Sequence, residues 1–227
     1  MTDGPHDDRE GRPAPPPAAP SCNDLAYAEI KHRVITCVYR PGECLSEAAV
    51  SAELGYGRTP VHQAFIRLKR DGLVDVLARK GILVRPISLD EVLDIASVRL
   101  VNETYCVRLA VERATPRDIA ELEQNVTQAG EAARACDIAR LMLLDRRFHQ
   151  VIATGAGNPI LAEVLAHLHD RSLRVWFMSL RDAEHHRRVI EEHHAIVAAM
   201  RARNPDAAEQ AMRAHIAGYR GNIIRQL

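Results

Sequence analysis

The chain has 227 residues, is 47% hydrophobic but only 4% aromatic, and balances 30 Lys and Arg against 30 Asp and Glu, a mainly aliphatic composition that favours helices over sheets. No apolar run approaches the roughly 18 residues of a membrane span, and the first twenty residues lack a signal-peptide core, so a cytoplasmic protein with no membrane partner is expected. Five cysteines, odd in number, scattered and free of any C-x-x-C spacing, argue against a disulfide framework and against a thiolate zinc site.

Residues 1–20 hold six of the twelve prolines and little that packs, so they are expected to form a disordered arm. From Asp24 to Tyr39, Tyr27, Ile30, Val34 and Val38 recur at helical spacing and predict a first helix, stopped by "RPGE". Ser46 is placed to cap a short helix, "EAAVSAEL", that ends at Gly55. A third helix opens at "GRTPV", with Pro60 in its first turn, buries Val61, Phe65 and Leu68, and closes at Asp71-Gly72. Two β-rich pieces, "LVDVL" and "ILVRP", flank the turn "ARKG".

Helix, short helix, tight turn, helix and basic hairpin is the order of a winged helix-turn-helix with a two-stranded wing, over about 21–86. The zero net charge hides an asymmetry that says what this module is for. Residues 58–85 hold seven Lys and Arg against two Asp and Glu, so net +5 falls on the third helix and the wing. These are the elements that meet DNA. Arg58 and Thr59 stand at a helix N-terminus, where backbone N–H groups suit a phosphate.

Beyond Pro86 the sheet signal ends. Ser88 and Glu91 form a capping-box pattern, and helices are predicted at about 88–114, 116–134, 137–153, 159–178, 182–203 and 205–226. Six antiparallel helices over 87–227 make a helical bundle. The fold class is therefore mainly α, with an N-terminal winged helix-turn-helix and a C-terminal six-helix bundle.

Asp145 and His149 lie four apart in "LLDRRFHQVI", on one helix face. His193 shares a face with Ile190, Val197 and Met200, with His194 one position away, and His215 follows Ala208 and Ala211 at spacings of seven and four. Spacing alone leaves open a metal site of one Asp and three His or ordinary buried and solvated residues. His167, His169, His185 and His186 have weaker patterns and are expected to face water.

"LSEAAVSAELGYGRTPVHQAFIRLKRDGLVDVLARKGILV" closely resembles the DNA-binding domain of the GntR family of bacterial transcription factors, through "RTPV", "RL", "DGLV" and Gly81. "VRLVNE", "DRRFH", "GAGNP", "EEHHAI" and "MRAHI" resemble the FCD effector domain of the FadR subfamily, in its six-helix VanR-type branch. The resemblance implies a homodimeric, ligand-responsive regulator, in most cases a repressor, that binds a near-palindromic double-stranded DNA operator. DNA-contacting positions carried over or supported by charge are Arg58, Thr59, Pro60, His62, Arg79, Lys80 and Gly81. His62 and Gln63 stand where the family has Arg-Glu, which weakens one expected contact. Gly57, Ala78 and Asn102 are further departures.

In metal-binding FCD domains an Asp and a His of a "D-x-x-x-H" helix join two His from the last two helices. By motif these are Asp145, His149, His193 and His215, with "E-H-x-A-I" selecting His193 over His194. The implied cofactor is a divalent ion, zinc first, with nickel, manganese or iron as alternatives, and a small carboxylate effector is implied beside it. Arg99 of "R-x-x-x-E" matches a residue that either pairs with that carboxylate or ties to Glu103. Arg171 and Arg174 are weaker supplements, and Asn158 is read as a helix cap. A metal-dependent enzyme shares the ligand set but lacks any motif for a general acid or base, and a regulator that senses the ion itself shares every residue named.

Overall fold

A computed structural model describes residues 19–179 and 183–226. Helix α1 (Cys22–Ile35) is capped by Ser21, whose hydroxyl accepts from Asp24 N–H, an interaction worth about 1 kcal/mol. It ends four residues before the expected Tyr39. Thr36 Oγ1 donates to the His32 carbonyl and Cys37 takes φ 56°, so the chain turns away and Val38 is exposed rather than packed.

Strand β1 (Cys44–Leu45) precedes α2 (Glu47–Leu54), capped by Ser46 and closed by Gly55 at φ 71°. Helix α3 (Arg58–Arg70) buries Val61, Ala64, Phe65 and Leu68 against α1. Strands β2 (Val74–Leu77) and β3 (Gly81–Val84) form the expected antiparallel hairpin. The sheet has three strands rather than two, in the order β1-β3-β2, because Leu45 pairs with Ile82 and Cys44 with Leu83. Gly81 is required at that junction: its φ is 98°, and a Cβ there would stand 2.5 Å from the Leu45 carbonyl oxygen.

The bundle comprises α4 (Leu89–Arg113), α5 (Pro116–Arg134), α6 (Ile138–Gly155), α7 (Pro159–Ser179), α8 (Ala183–Arg201) and α9 (Pro205–Gln226). Ser88 caps α4 as expected, but Glu91 does not reach back; its carboxylate takes Arg171 of α7 at 2.6 Å instead. The reciprocal capping box lies at Thr115 and Asp118, at the start of α5. Asn158 caps α7, its Oδ1 accepting from Leu161 N–H. The proline-rich arm and the "SLRD" break fall outside the described residues, apart from their edges.

Helix α4 packs along α9, α5 on α6 and α8, and α6 on α7. Two apolar clusters result: one fills the N-terminal helix-and-sheet module and continues into the near end of the bundle, and the other fills the far end. Between them the bundle core turns polar.

Candidate functional site

Helix α6 buries Met142, Asp145, Phe148, His149 and Ile152 on one face, so the acid and the imidazole enter the bundle with the apolar side chains. His193 of α8 and His215 of α9 arrive from the opposite side, each 2% exposed. One ligand atom from each of Asp145, His149, His193 and His215 lies within 4.8 Å of all the others. The His193 ring stacks on Phe148, with centroids 3.8 Å apart and planes 7° from parallel, which fixes its orientation.

Carboxylates orient two of the imidazoles from behind. His149 Nδ1 lies 2.5 Å from Glu103 Oε2, and His215 Nδ1 lies 2.9 Å from Glu192 Oε2. With a proton on each Nδ1, both Nε2 atoms would be lone-pair acceptors, and these face each other at 3.2 Å. Asp145 Oδ1 and His193 Nε2, 3.5 Å apart, are buried without hydrogen-bond partners. Three imidazoles and a carboxylate that converge this closely, with Asp145 Oδ1 and His193 Nε2 unpartnered, are a donor set that fits a cation.

The electrostatics agree with that fit. Burial pushes the Asp145 pKa up, but the His169 hydrogen bond and the surrounding imidazoles outweigh it and hold the carboxyl well below its ordinary range. Burial, with His215 nearby, pushes His193 well down, so its imidazole stays neutral, the form that ligates.

His169, expected in water, is buried instead, with Nε2 3.4 Å from Asp145 Oδ2 and its ring 4.3 Å from that of His149. Burial, Arg99 and His149 lower its pKa to about 4. The signal was present, since His169 sits four residues from both Leu165 and Leu173. His185 and His186 are likewise buried, and only His167 of that group is substantially exposed.

Arg99 and Glu103 are both 3% exposed and are joined at 2.5 Å from Nε to Oε1. A cavity of about 110 Å³ opens beside the site, bordered by Glu103, His149, His169, Arg146, Gln150 and Thr154 with a largely aliphatic remainder. Arg99, Arg171 and Arg174 do not line it. Arg171 is bound to Glu91, and Arg174 donates to the Arg85 carbonyl at 2.8 Å.

On the other module, Arg58, Thr59, His62, Arg79 and Lys80 are exposed and Pro60 is half-buried in the first turn of α3. Gly57 supplies no side-chain cap, which leaves the first N–H groups of α3 open to an external acceptor. Arg79 takes φ 64° at the wing turn. His62 Nδ1 lies 2.9 Å from Glu47 of α2. Arg67 is not displayed in the same way, since it holds Asp24 at 2.9 Å and stacks on Tyr27.

Comparison with known proteins decides the family. The description "Bacterial regulatory proteins, gntR family" matches residues 23–84, and "FCD domain" matches residues 94–218, more than half of the chain. The chain belongs to the GntR family. This GntR protein is 29% identical over 194 residues to the HTH-type transcriptional repressor RspR of Escherichia coli (strain K12), covering 86% of this chain and 85% of that one. It is 28% identical over 186 residues to the Nta operon transcriptional regulator of Aminobacter aminovorans, covering 82% and 87%. The solved structure of E. coli McbR/YncC superposes with a TM-score of 0.84 at 24% identity, covering 92% of this chain and 99% of that chain, which shows the shared fold. The GntR protein is thus a DNA-binding transcription regulator with an FCD domain, and not an enzyme. No helix among its described residues is long and apolar enough to cross a membrane.

Proposed function

We propose that residues 21–86 read a near-palindromic DNA operator and that residues 87–227 hold a divalent metal and a small organic acid that sets operator affinity. The regulator acts as a homodimer of the FadR subfamily and as a repressor released by its acid. Arg58 and Thr59 meet phosphate at the start of α3, Pro60 preforms that turn, His62 faces the groove, and Arg79 and Lys80 extend from the wing that Gly81 closes.

One observation carries the metal reading: the Nε2 atoms of His149 and His215 face each other at 3.2 Å, beside the unpartnered Asp145 Oδ1 and His193 Nε2. Three imidazoles and one carboxylate suit zinc first, with nickel, manganese and iron sharing the donor preference. When bound, a dication supplies positive charge and open positions that attract a carboxylate in a low-dielectric pocket. The adjoining cavity favours a separate small effector over the ion as sole signal. Of the two roles the sequence leaves to Arg99, the geometry supports the tie to Glu103, which in turn orients His149.

The test is a titration of operator binding by metal-stripped protein, first with zinc alone and then with small carboxylates at saturating zinc. Release of DNA by an acid only in the presence of zinc is expected. Full release by zinc alone would leave no role for an acid, and full metal content in both Asp145→Ala and His193→Ala would overturn the site.

A further inference from the structure

A chain of charges runs from the bundle cavity to the far end of the recognition helix. Arg146 borders the cavity, and its Nε donates to Asp170 Oδ1 of α7 at 2.5 Å. Asp170 is 1% exposed, and its Oδ2 lies 2.6 Å from Lys31 Nζ of α1. Lys31 Nζ is also 3.3 Å from Asp71 Oδ2 and donates to the Tyr27 hydroxyl at 2.9 Å. Asp71 is the C-cap of α3; it also accepts from Tyr27 Oη and has His167 Nδ1 of α7 at 3.5 Å.

Helix α7 is thus shared between two jobs. Ala166 and His169 face the cavity, while His167 and Asp170, one position along from each, face the DNA-binding module. Among the described residues, Arg146 is the one guanidinium that lines the cavity. Its side chain is 33% exposed, so it remains reachable by an anion, whereas Asp170 is buried and depends on its two cations.

Two carboxylates, Asp170 and Asp71, share the single ammonium of Lys31. Their balance depends on Arg146, because a buried carboxylate that loses one cation draws harder on the other.

We propose that Arg146 is the anion-recognising residue of the cavity, and that a carboxylate drawing Arg146 off Asp170 pulls Lys31 of α1 from Asp71 and so loosens α3 from α1. This rests on the reading that the bundle binds a small acid. It adds which residue takes the acid and how occupancy reaches the DNA-reading helix, through contacts made in one state and not the other.

The experiment uses the full-length, zinc-loaded protein, with acetate, malonate and citrate as probes and a DNA fragment selected by the wild type from a random library. Arg146→Gln should weaken binding of the effective probe at least about tenfold with zinc content unchanged. Asp170→Asn should bind that probe as well as or better than the wild type, since Arg146 no longer has a competitor. Its DNA affinity should change less than about twofold on adding the probe, against the ~5–150-fold range of allosteric coupling expected for the wild type.

Wild-type Arg146→Gln affinity for the probe, or an Asp170→Asn variant that keeps the full DNA response, overturns the relay alone. A wild type that binds none of the probes overturns the effector reading and the relay with it. Should Asp170→Asn fold poorly, hydrogen exchange on the wild type decides. The probe should speed exchange in residues 24–36 and 66–73, and unchanged exchange there overturns the proposal.

Discussion

His149 and His215 face each other Nε2 to Nε2 at 3.2 Å, while each turns its Nδ1 onto a glutamate, Glu103 and Glu192 respectively. With the proton of each ring on Nδ1, two lone pairs would be opposed inside the bundle, an arrangement that a cation relieves. Metal removal should therefore destabilise the fold as well as abolish the response. A chelator is expected to lower the melting temperature by about 5–10 °C, taking the metal at roughly a hundred times its dissociation constant. Readdition of zinc should restore the loss, and His193→Ala should show neither change in a calorimetric scan.

The outer carboxylates should tune affinity without being ligands. Glu192→Gln keeps a hydrogen-bonding group near His215 but removes the charge that holds its tautomer, and should weaken zinc binding about 10–100-fold in competition with a chelating dye. Gly218→Ala should act in the same direction, because a Cβ there would stand 3.0 Å from Glu192 Oε1. Equal zinc affinity in wild type and Glu192→Gln would show that this carboxylate has no hold on the ligand.

Gly81→Ala should destabilise the DNA-binding module by about 2 kcal/mol or more. The new methyl would meet the Leu45 carbonyl oxygen at 2.5 Å while the backbone holds φ at 98°. A lower denaturant midpoint and weaker DNA binding at fixed salt are the expected results. Ala at Gly42, which has open space around it, should cost only the strain of its positive φ.

Arg58 and Lys80 are exposed on the proposed DNA-contacting face. Replacing either by Ala should reduce the slope of log affinity against log salt by about 1, with little change in sequence preference. Arg67→Ala, by contrast, should leave that slope unchanged and act on stability, because its guanidinium is engaged by Asp24 and Tyr27. Binding isotherms at several salt concentrations separate the two.

The domain junction should weaken in acid through Asp170. Burial pushes its pKa up, but Arg146 and Lys31 outweigh burial and hold it below the ordinary value. The unfolded chain therefore takes up this proton at higher pH than the folded one. The stabilisation is present above about pH 4 and is lost as pH falls through the folded value. Acid unfolding of Asp170→Asn should show a shallower decline below pH 4 than that of the wild type.

Much of this protein follows from local chemistry in the chain. Ser46 and Gly55 bound α2, Ser88 starts α4, and Thr115-Pro116 starts α5, because caps and left-handed stops act within four residues of where they stand. The i,i+4 spacing of Asp145 and His149 puts them on one face for the same reason, and the family motifs name His193 and His215 as their partners.

Tertiary structure decided what depends on partners far along the chain. Glu91 turned from the Ser88 cap to Arg171, 80 residues away, since a partly buried, charge-assisted guanidinium contact outcompetes a backbone N–H. Cys44 and Leu45 became a strand only because β3 offered an edge, and helical periodicity carries no signal for that pairing. The burial of His169, the glutamates behind His149 and His215, and the line Arg146–Asp170–Lys31–Asp71 arise where different helices cross. A sequence reports which face of a helix is apolar, but not which charged groups meet when two such faces pack, because that is set by helix crossings that residues across the whole chain jointly determine.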